Sequence, residues 1–255
     1  MSGTRASRWL FAASALVAGP LAVYGMSGLP PFGDSIPEYG RLIAQIALHE
    51  RAVTNLVAAV IFDYRGFDTL GEQFIIFAAI LGVAMLLRDV QRLPGGEPLP
   101  PSDIPHRNVE LSDAVTAAGR VLLPLTLVAG IYLVLHGHVS AGGGMQGGVV
   151  VAGALLIVYV GEGYRRWRRI TPPALLDIGK AAAAGAYIAI GALPLAWGLP
   201  FLHNVLPLGT PGALASGGTI AWLNAAAGVG VAAGFALIFH EFIEELQPPE
   251  TGGRR

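Results

Sequence analysis

The sequence predicts an all-α polytopic membrane protein. Of its 255 residues, 53% are hydrophobic and 13% are charged, whereas a soluble domain carries about 25% charged residues. The mean hydropathy is +0.58, and six apolar runs are long enough to cross a bilayer. The lack of cysteine excludes disulfides, thiolate metal sites, iron-sulfur ligation and a cysteine nucleophile in this chain. No basic block with interleaved aromatic residues points to nucleic acid.

The six runs approach or exceed the roughly 18 to 20 residues that a membrane-spanning helix needs. They cover residues 9–28, 70–87, 119–137, 147–163, 174–198 and 217–240. A further run, residues 52–62, is too short to span. We therefore expect about six transmembrane helices, with residues 38–64 forming a helix that lies in the interface or enters the membrane part-way. Seven transmembrane helices are the alternative.

The distribution of basic residues favours six spans with both termini in the cytoplasm, because Lys and Arg accumulate on that side of a cell membrane. Six spans place thirteen basic residues inside and only Arg41, Arg51 and Arg65 outside. Seven spans would move Arg5 and Arg8 outside. A cleaved secretory signal is the alternative for the first run, although that run extends past signal-peptide length.

The chain divides at a Pro- and Gly-rich stretch that cannot continue a helix. Residues 1–92 form an N-terminal membrane segment, and residues 93–117 form the linker. Residues 118–246 form a domain of four up-and-down spans, and residues 247–255 form a polar tail.

A cluster of charge directly precedes the second span and is the first candidate site. Asp63, Arg65, Asp68 and Glu72 lie within ten residues, and an ionisable group at a membrane-spanning segment costs on the order of 2 to 3 kcal/mol. We interpret these residues as an entry or relay for protons or sodium, with Arg65 keeping one carboxylate ionised. The alternative is a capping box on a helix that starts at Thr69 or Leu70.

Neighbouring charges have simpler interpretations. His49, Glu50 and Arg51 precede the short apolar run and fit the polar side of a surface helix, although they could form a second titratable set. The residues from His240 to Glu245 fit an acidic helix end in water.

The second candidate site is the loop HGHVSAGGGMQGG, which begins at His136. Its glycines allow close helix packing or exposed amides at a helix N-terminus. His136 and His138 could bind a metal, but no third ligand lies nearby, so we expect no metal site. The loop lacks the Lys and Ser/Thr of a phosphate-binding loop.

The last two spans are lined with small residues, which favours helix packing over a pore. Ala181 with Gly185 and Gly230 with Gly234 have the required spacing. Lys180 lies inside a span, where it either pairs with Asp177 at i,i+3 or extends to the interface. Asn224 is expected to hydrogen-bond between helices. The residues carry no catalytic triad, haem ligand pair or cofactor fingerprint.

Two segments resemble known families. Residues 55–72, NLVAAVIFDYRGFDTLGE, resemble a segment shared by the C-terminal part of the large Mrp antiporter subunit and the corresponding small subunit of membrane-bound hydrogenases. Residues 136–156, with the four-span pattern that ends near residue 246, resemble the MnhB-type domain of Mrp sodium/proton antiporters. The resemblance extends to Asp63, Arg65, Asp68, Glu72 and the loop from His136, but not to Lys180.

The resemblance implies an accessory subunit of a multi-subunit Na⁺/H⁺ antiporter, related to the membrane arm of complex I. Its partners would be other hydrophobic subunits and the lipid bilayer, with Na⁺ and H⁺ as transported ions. It would need no cofactor and have no catalytic centre. The alternatives are an ion-translocating subunit of a membrane-bound hydrogenase or related redox complex, and a purely structural linker subunit.

Overall fold

The computed structural model describes residues 3–29, 38–90 and 112–245, and no β-strand occurs among them. The chain divides into two units, residues 1–42 and 43–255. The first contains α1 (Gly3–Ser27), whose described apolar part, Ala12–Ser27, is shorter than a full span. The boundary between the units falls within α2 (Glu38–Arg51). The predicted linker core and the polar tail lie outside the described residues.

The second unit contains all the long apolar helices found among the described residues. In chain order its elements are α3 (Leu56–Ala59), which continues as a π-helix (Val60–Tyr64), α4 (Gly66–Val90), α5 (Asp113–Leu135), α6 (Gly144–Glu162), α7 (Tyr164–Ile170), α8 (Pro173–Ala192), which ends in a 3₁₀ turn (Leu193–Trp197), and α9 (Thr219–Glu245). Helices α4, α5, α6, α8 and α9 are long and apolar enough to cross a membrane. They coincide with the last five predicted runs, and the predicted fold class is confirmed.

Helix α9 is the central helix of this unit. It contacts α4, α5, α6 and α8, and 56% of its most apolar stretch is buried. Its buried side chains include Leu223, Ala227 and Val231. The other spanning helices bury a smaller share and leave many large apolar side chains exposed, as expected for helices that face lipid or other membrane subunits.

Glycines bring α6 to backbone contact with both of its neighbours. A Cβ atom on Gly147 would lie 2.7 Å from the carbonyl oxygen of Gly130 in α5. One on Gly148 would lie 2.6 Å from the carbonyl oxygen of Gly228 in α9. Because a real Cβ does not approach backbone this closely, the glycine run after His136 serves helix packing.

The small residues of the last two spans divide into a packed and an unpacked set. A Cβ on Gly230 or Gly234 would approach side chains of α4, so this predicted pair packs. Ala181 and Gly185, by contrast, are exposed, and a Cβ on Gly185 would meet nothing within 4 Å. No other described helix of this chain packs on them, because α8 turns a different side to α9. Their role in helix packing stays a prediction.

The second unit has two distinct ends. The histidine end consists of residues 52–65, the loop from His136 to Gly143, and residues 198–218. The arginine end consists of α7 and the C-terminal turns of α9, where the hydroxyl of Tyr164 donates to Glu244 at 2.6 Å. His240, 3.6 Å from the same carboxylate, is buried, so the expected water-exposed helix end is wrong for this residue.

Residues 52–64 pack into the histidine end without crossing the unit. The backbone turns at Ala52, which has a φ of 53°, and Val53, Ala58, Ala59 and Phe62 are buried in one cluster with residues of α8 and α9. Helix α3 has four residues and its π-helical continuation has five, too few to span a membrane. The chain then bends at Arg65 into α4.

We predict that Gly148→Ala destabilises the protein while Gly153→Ala does not. Both glycines lie in α6, but a Cβ on Gly153 would meet nothing within 4 Å. Overpacking at Gly148 should cost about 1–3 kcal/mol, seen as a lower thermal-unfolding midpoint in detergent. Equal midpoints for the two variants would contradict the backbone contact between α6 and α9.

Candidate functional site

A partly buried ion pair links α2 to the histidine end. The Nε atom of Arg51, at the end of α2, donates to Oδ1 of Asp63 at 2.7 Å. The side chain of Asp63 is 9% exposed and that of Arg51 is 29% exposed. His49 and Glu50 are exposed, as the polar side of a surface helix should be, whereas Arg51 is partly buried against Asp63. The pair ties α2 to the π-helix.

The pairing within the predicted charge cluster differs from its sequence order. Arg65, which is flanked by two aspartates, pairs with Asp68, and both side chains are at least half exposed. Asp63 faces the opposite way, towards Arg51, because the bend at Arg65 separates the π-helix from α4. The predicted cluster is thus divided into a buried half and a surface half.

Tyr64 and Glu50 extend the buried pair. The hydroxyl of Tyr64 donates to Glu50 at 2.8 Å, and the guanidinium of Arg51 lies 5.1 Å from the centre of the Tyr64 ring. Burial and the bond to Glu50 raise the pKa of Tyr64 to about 12, so the phenol remains a donor. Burial alone would lower the pKa of Arg51, but its bond to Asp63 and the nearby negative charges raise it.

Asn204 connects this ion pair to the start of α9. Its amide nitrogen lies 3.4 Å from Oδ2 of Asp63 and donates to the carbonyl of Gly217 at 2.9 Å. Its amide oxygen accepts from the backbone N–H of Thr219, the first residue of α9, at 2.9 Å. One side chain thus satisfies a helix N-terminus and contacts the carboxylate.

Asn55 and Thr54 join the two predicted sites. The amide nitrogen of Asn55 donates to the carbonyls of Gly137 at 2.6 Å and Ser140 at 3.0 Å, and the hydroxyl of Thr54 donates to Val139. The structure therefore brings the segment before α3 onto the loop that contains both histidines. The two segments that resemble known families contact each other directly.

The two histidines of the loop have different surroundings. His138 is 1% exposed, and its Nε2 lies 2.9 Å from the carbonyl of Leu214, to which it donates when it carries the proton. Burial, opposed by this bond, lowers the pKa of His138. His136 stacks on Tyr132, with ring centres 4.1 Å apart. Among the described residues, no group of three or more His, Asp or Glu could hold a metal ion.

Asn224 holds the loop from the side of α9. It accepts from the backbone N–H of Gly144 at 2.6 Å, at the start of α6, and donates to the carbonyl of Val134 at 2.6 Å, near the end of α5. The predicted interhelical bond is confirmed. A Cβ on Gly144 would collide with the Asn224 backbone, so the glycine run makes this bond possible.

The start of α4 changes the interpretation of Glu72. The helix begins at Gly66 rather than at Thr69 or Leu70, so the capping-box prediction is wrong. Thr69 is buried and its hydroxyl donates to the carbonyl of Ile61 at 2.5 Å. Glu72 lies six residues inside α4, about 9 Å along its axis, and it is exposed.

Lys180 lies apart from the histidine end. Its Nζ is 3.3 Å from Oδ1 of Asp177, so the predicted i,i+3 ion pair is confirmed. The side chain of Lys180 is 5% exposed and that of Asp177 is 47% exposed. The ammonium also lies 4.7 Å from the centre of the Phe77 ring in α4. The lysine is therefore held between helices rather than extended into water.

Three residues that carry the site have weak sequence signals. Asn55 and Asn204 are polar residues next to apolar runs, which is the signal that identified Asn224. The amide oxygen of Asn55 accepts from nearby Val57, but its amide nitrogen donates to carbonyls 82 and 85 residues away. The side-chain partners of Asn204 lie 13 to 141 residues away. Arg51 was recognised as titratable, but its pairing with Asp63 depends on the turn at Ala52. Only the fold reveals these contacts.

The fold and site define a polytopic membrane protein with a non-spanning segment docked on a histidine and glycine loop. Residues 114–237 match the family described as "Domain related to MnhB subunit of Na+/H+ antiporter". These residues, just under half of the chain, form an MnhB-related domain, and the predicted resemblance to MnhB-type domains is confirmed.

Relatives match this chain over different lengths. An uncharacterized protein of Methanocaldococcus jannaschii is 28% identical over 212 residues, 76% of this chain and 79% of its own length. The A/B subunit of a probable K(+)/H(+) antiporter of Rhizobium meliloti is 30% identical over 68% of this chain, which spans only 18% of that protein. The B subunit of the Na(+)/H(+) antiporter of Alkalihalophilus pseudofirmus is 38% identical over 71 residues, 28% of this chain and 47% of the relative.

Two solved membrane complexes contain chains of similar fold. A chain of the membrane-bound sulfane sulfur reductase, an archaeal respiratory membrane complex, has a TM-score of 0.69 and 28% identity, covering 96% of this chain and 99% of its own. A chain of the Mrp complex from Dietzia has a TM-score of 0.67 over 98% of this chain and 27% of its own. At 20% identity, the second likeness concerns the fold alone.

We predict that Asp63→Asn destabilises the protein more than Asp68→Asn. The first change removes a nearly buried, charge-assisted bond to Arg51, which should cost about 1.5–3 kcal/mol. The second breaks an exposed pair with Arg65, which should cost about 0–1 kcal/mol. Thermal-unfolding midpoints of both variants in the same detergent test this; a larger loss for Asp68→Asn would overturn the assignment.

Stability should also fall as the pH drops below 6.5, the ordinary pKa of histidine. Because the pKa of His138 is lower in the folded state, the unfolded chain binds a proton first as the pH falls, and the contribution of neutral His138 is lost. Unfolding midpoints from pH 8 to pH 5 measure the effect. In His138→Gln the slope should be shallower than in the unaltered protein; an unchanged slope would refute the role of this residue.

Proposed function

We propose that this chain is an accessory subunit of a multi-subunit cation/proton antiporter complex of the Mrp type. It would lie in the cell membrane with both termini in the cytoplasm, have no catalytic centre of its own, and work only with other hydrophobic subunits. The MnhB-type domain supports this assignment, as do the names of the two antiporter relatives.

The observation that carries the proposal is the exposure of Glu72. This carboxylate lies inside a helix that is apolar enough to span a membrane, yet Glu72 is exposed in the part of the chain that the structure describes. A charge there facing lipid would cost on the order of 2 to 3 kcal/mol. A neighbouring subunit that supplies a polar or cationic group, or water and a cation, would remove that cost.

The candidate residues then fall into distinct roles. Glu72 and Asp68, on the exposed side of α4, would line an ion path shared with a partner, with Na⁺ and H⁺ as the transported ions, and Arg65 would keep Asp68 ionised. Asp63 would support the path indirectly, because its oxygens are bonded within this chain. His136 and His138 would hold the loop on which the path rests.

A second candidate is an ion-translocating subunit of a respiratory membrane complex. The supporting observation is the chain in the sulfane sulfur reductase complex, which matches this one over 99% of its length at 28% identity. In that case the redox centres would belong to partner subunits, because this chain has no cysteine. A purely structural linker is the third candidate, and the network that joins Asn55, Asp63 and Asn204 is consistent with it.

The bound partners separate the first two candidates. Purification from native membranes in mild detergent, followed by mass spectrometry, should recover several hydrophobic antiporter subunits. Additional cysteine-rich, metal-binding soluble subunits would favour the redox complex. Recovery of the chain alone would refute the accessory role.

Replacing Glu72 distinguishes an ion path from a structural linker. Glu72→Gln should lower cation-dependent proton exchange in everted membrane vesicles by at least about tenfold while the complex assembles normally. The matched control is Glu162→Gln, which removes an exposed carboxylate paired with Arg166 at the far end of α6 and should leave exchange unchanged. Normal exchange by assembled Glu72→Gln complexes would leave only the structural role.

A further inference from the structure

Lys180 is the only lysine in the sequence; the other fifteen residues counted as Lys or Arg are arginines. It is also 5% exposed, within a spanning helix. Arginine remains protonated under all ordinary conditions, whereas a desolvated lysine amine can give up its proton. The one strongly basic group of this chain that can act as a proton carrier is therefore buried among helices.

On one side, Lys180 lies close to the arginine end. It lies seven residues after Pro173, the first residue of α8, about 10 Å along the helix axis. Asp177 lies between it and the arginine end, 3.3 Å from the ammonium, with its side chain about half exposed. A proton that reaches Asp177 from the membrane surface is within one transfer of Lys180.

On the other side, a small cavity continues from Phe77 towards the histidine end. It measures about 10 Å³ and is lined by Leu70, Gln73, Phe74, Phe77, Ala184 and Tyr187. This is close to the minimum that admits one water molecule. The buried amide nitrogen of Gln73 has no hydrogen-bond partner among the described residues, so a water there would find a polar group that needs one.

Polar groups thus follow one seam between α4 and α8. From the arginine end they are Asp177, Lys180, Gln73 and Tyr187, whose hydroxyl donates to the carbonyl of Gly66 at 3.1 Å. Asp177 and Tyr187 are ten residues apart, about 15 Å along α8, or half the hydrocarbon thickness.

The charges that face this seam are few. Glu72 of α4 acts electrostatically on Tyr187, and Asp177 comes from α8 itself. Helix α9 contributes Gly230 and Ala233, which carry no charge.

We propose that Lys180 is a proton-exchanging group in this seam. A proton from the arginine end first protonates Asp177. The ammonium then gives its proton to water beside Gln73, which passes a proton on towards the histidine end, and the neutral amine takes the proton from Asp177. One proton enters and one leaves, so the ion pair of Lys180 and Asp177 is restored. Phe77 lines the cavity and also covers the ammonium. Its ring therefore controls the transfer of protons from Lys180 to the water in the cavity. This step rests on the proposed function, because the assembled complex must exchange protons.

The competing role is a fixed cation that holds α4 against α8. An ion pair with Asp177 and contact with the Phe77 ring would both be kept by arginine, which pairs with carboxylates and stacks on aromatic rings. Proton exchange would not be kept, because guanidinium does not deprotonate. Lys180→Arg therefore separates the two roles.

The experiment measures proton exchange in everted vesicles that contain the whole complex, with rates divided by the amount of assembled complex. Lys180→Arg should lower the rate by about tenfold or more. Arg166→Gln, which removes the cation of an exposed ion pair with Glu162, should leave it unchanged. A rate for Lys180→Arg within about twofold of the unaltered complex would overturn the proposal.

A second variant covers the case in which Lys180→Arg does not assemble. Asp177→Asn retains the lysine and changes a half-exposed side chain, and it should also slow exchange at least severalfold, most strongly when protons enter from the arginine end. An unchanged rate would overturn the proposal. Failure of the proposed function looks different, because vesicles with the unaltered complex would then show no cation-dependent exchange at all.

Discussion

Irregular backbone near a membrane must find its hydrogen bonds inside the protein, and this constraint organises the histidine end. Three asparagine side chains meet it. Asn55 binds carbonyls of the histidine loop, Asn224 bridges the end of α5 and the start of α6, and Asn204 satisfies the start of α9. Each asparagine joins segments that are far apart in the chain. The positions of the helices that meet there depend on these bonds.

The glycines of α6 make the Asn224 bond possible. The Asn224 bond to Gly144 exists only because α6 approaches α9 more closely than any side chain would permit. The same close approach continues at Gly148 one turn later. The glycine run therefore provides the space for both the Asn224 bond and the backbone contact between helices, which is the packing role that the sequence predicted for it.

The charged residues differ in whether they are paired within the chain or exposed on its surface. Asp63 with Arg51 and Lys180 with Asp177 find partners within the chain, which offsets part of the cost of removing these charges from water. Asp68 and Glu72, by contrast, are exposed on α4. In the proposed complex these two carboxylates are the groups that this chain contributes to a path completed by other subunits.

The sequence by itself determined the membrane class, five of the spans and the Lys180 ion pair, because hydrophobic length and i,i+3 spacing are local properties. It also predicted that Asn224 bonds between helices, but not which residues it bonds. It did not determine the start of α4, the partner of Asp63 or the exposed face around Ala181. Those depend on the bend at Arg65, the turn at Ala52 and the rotation of α8 against α9. The physical reason is that packing of the whole unit selects the contacts between residues far apart in the sequence. Packing therefore also determines which charged side chains are buried and which are exposed.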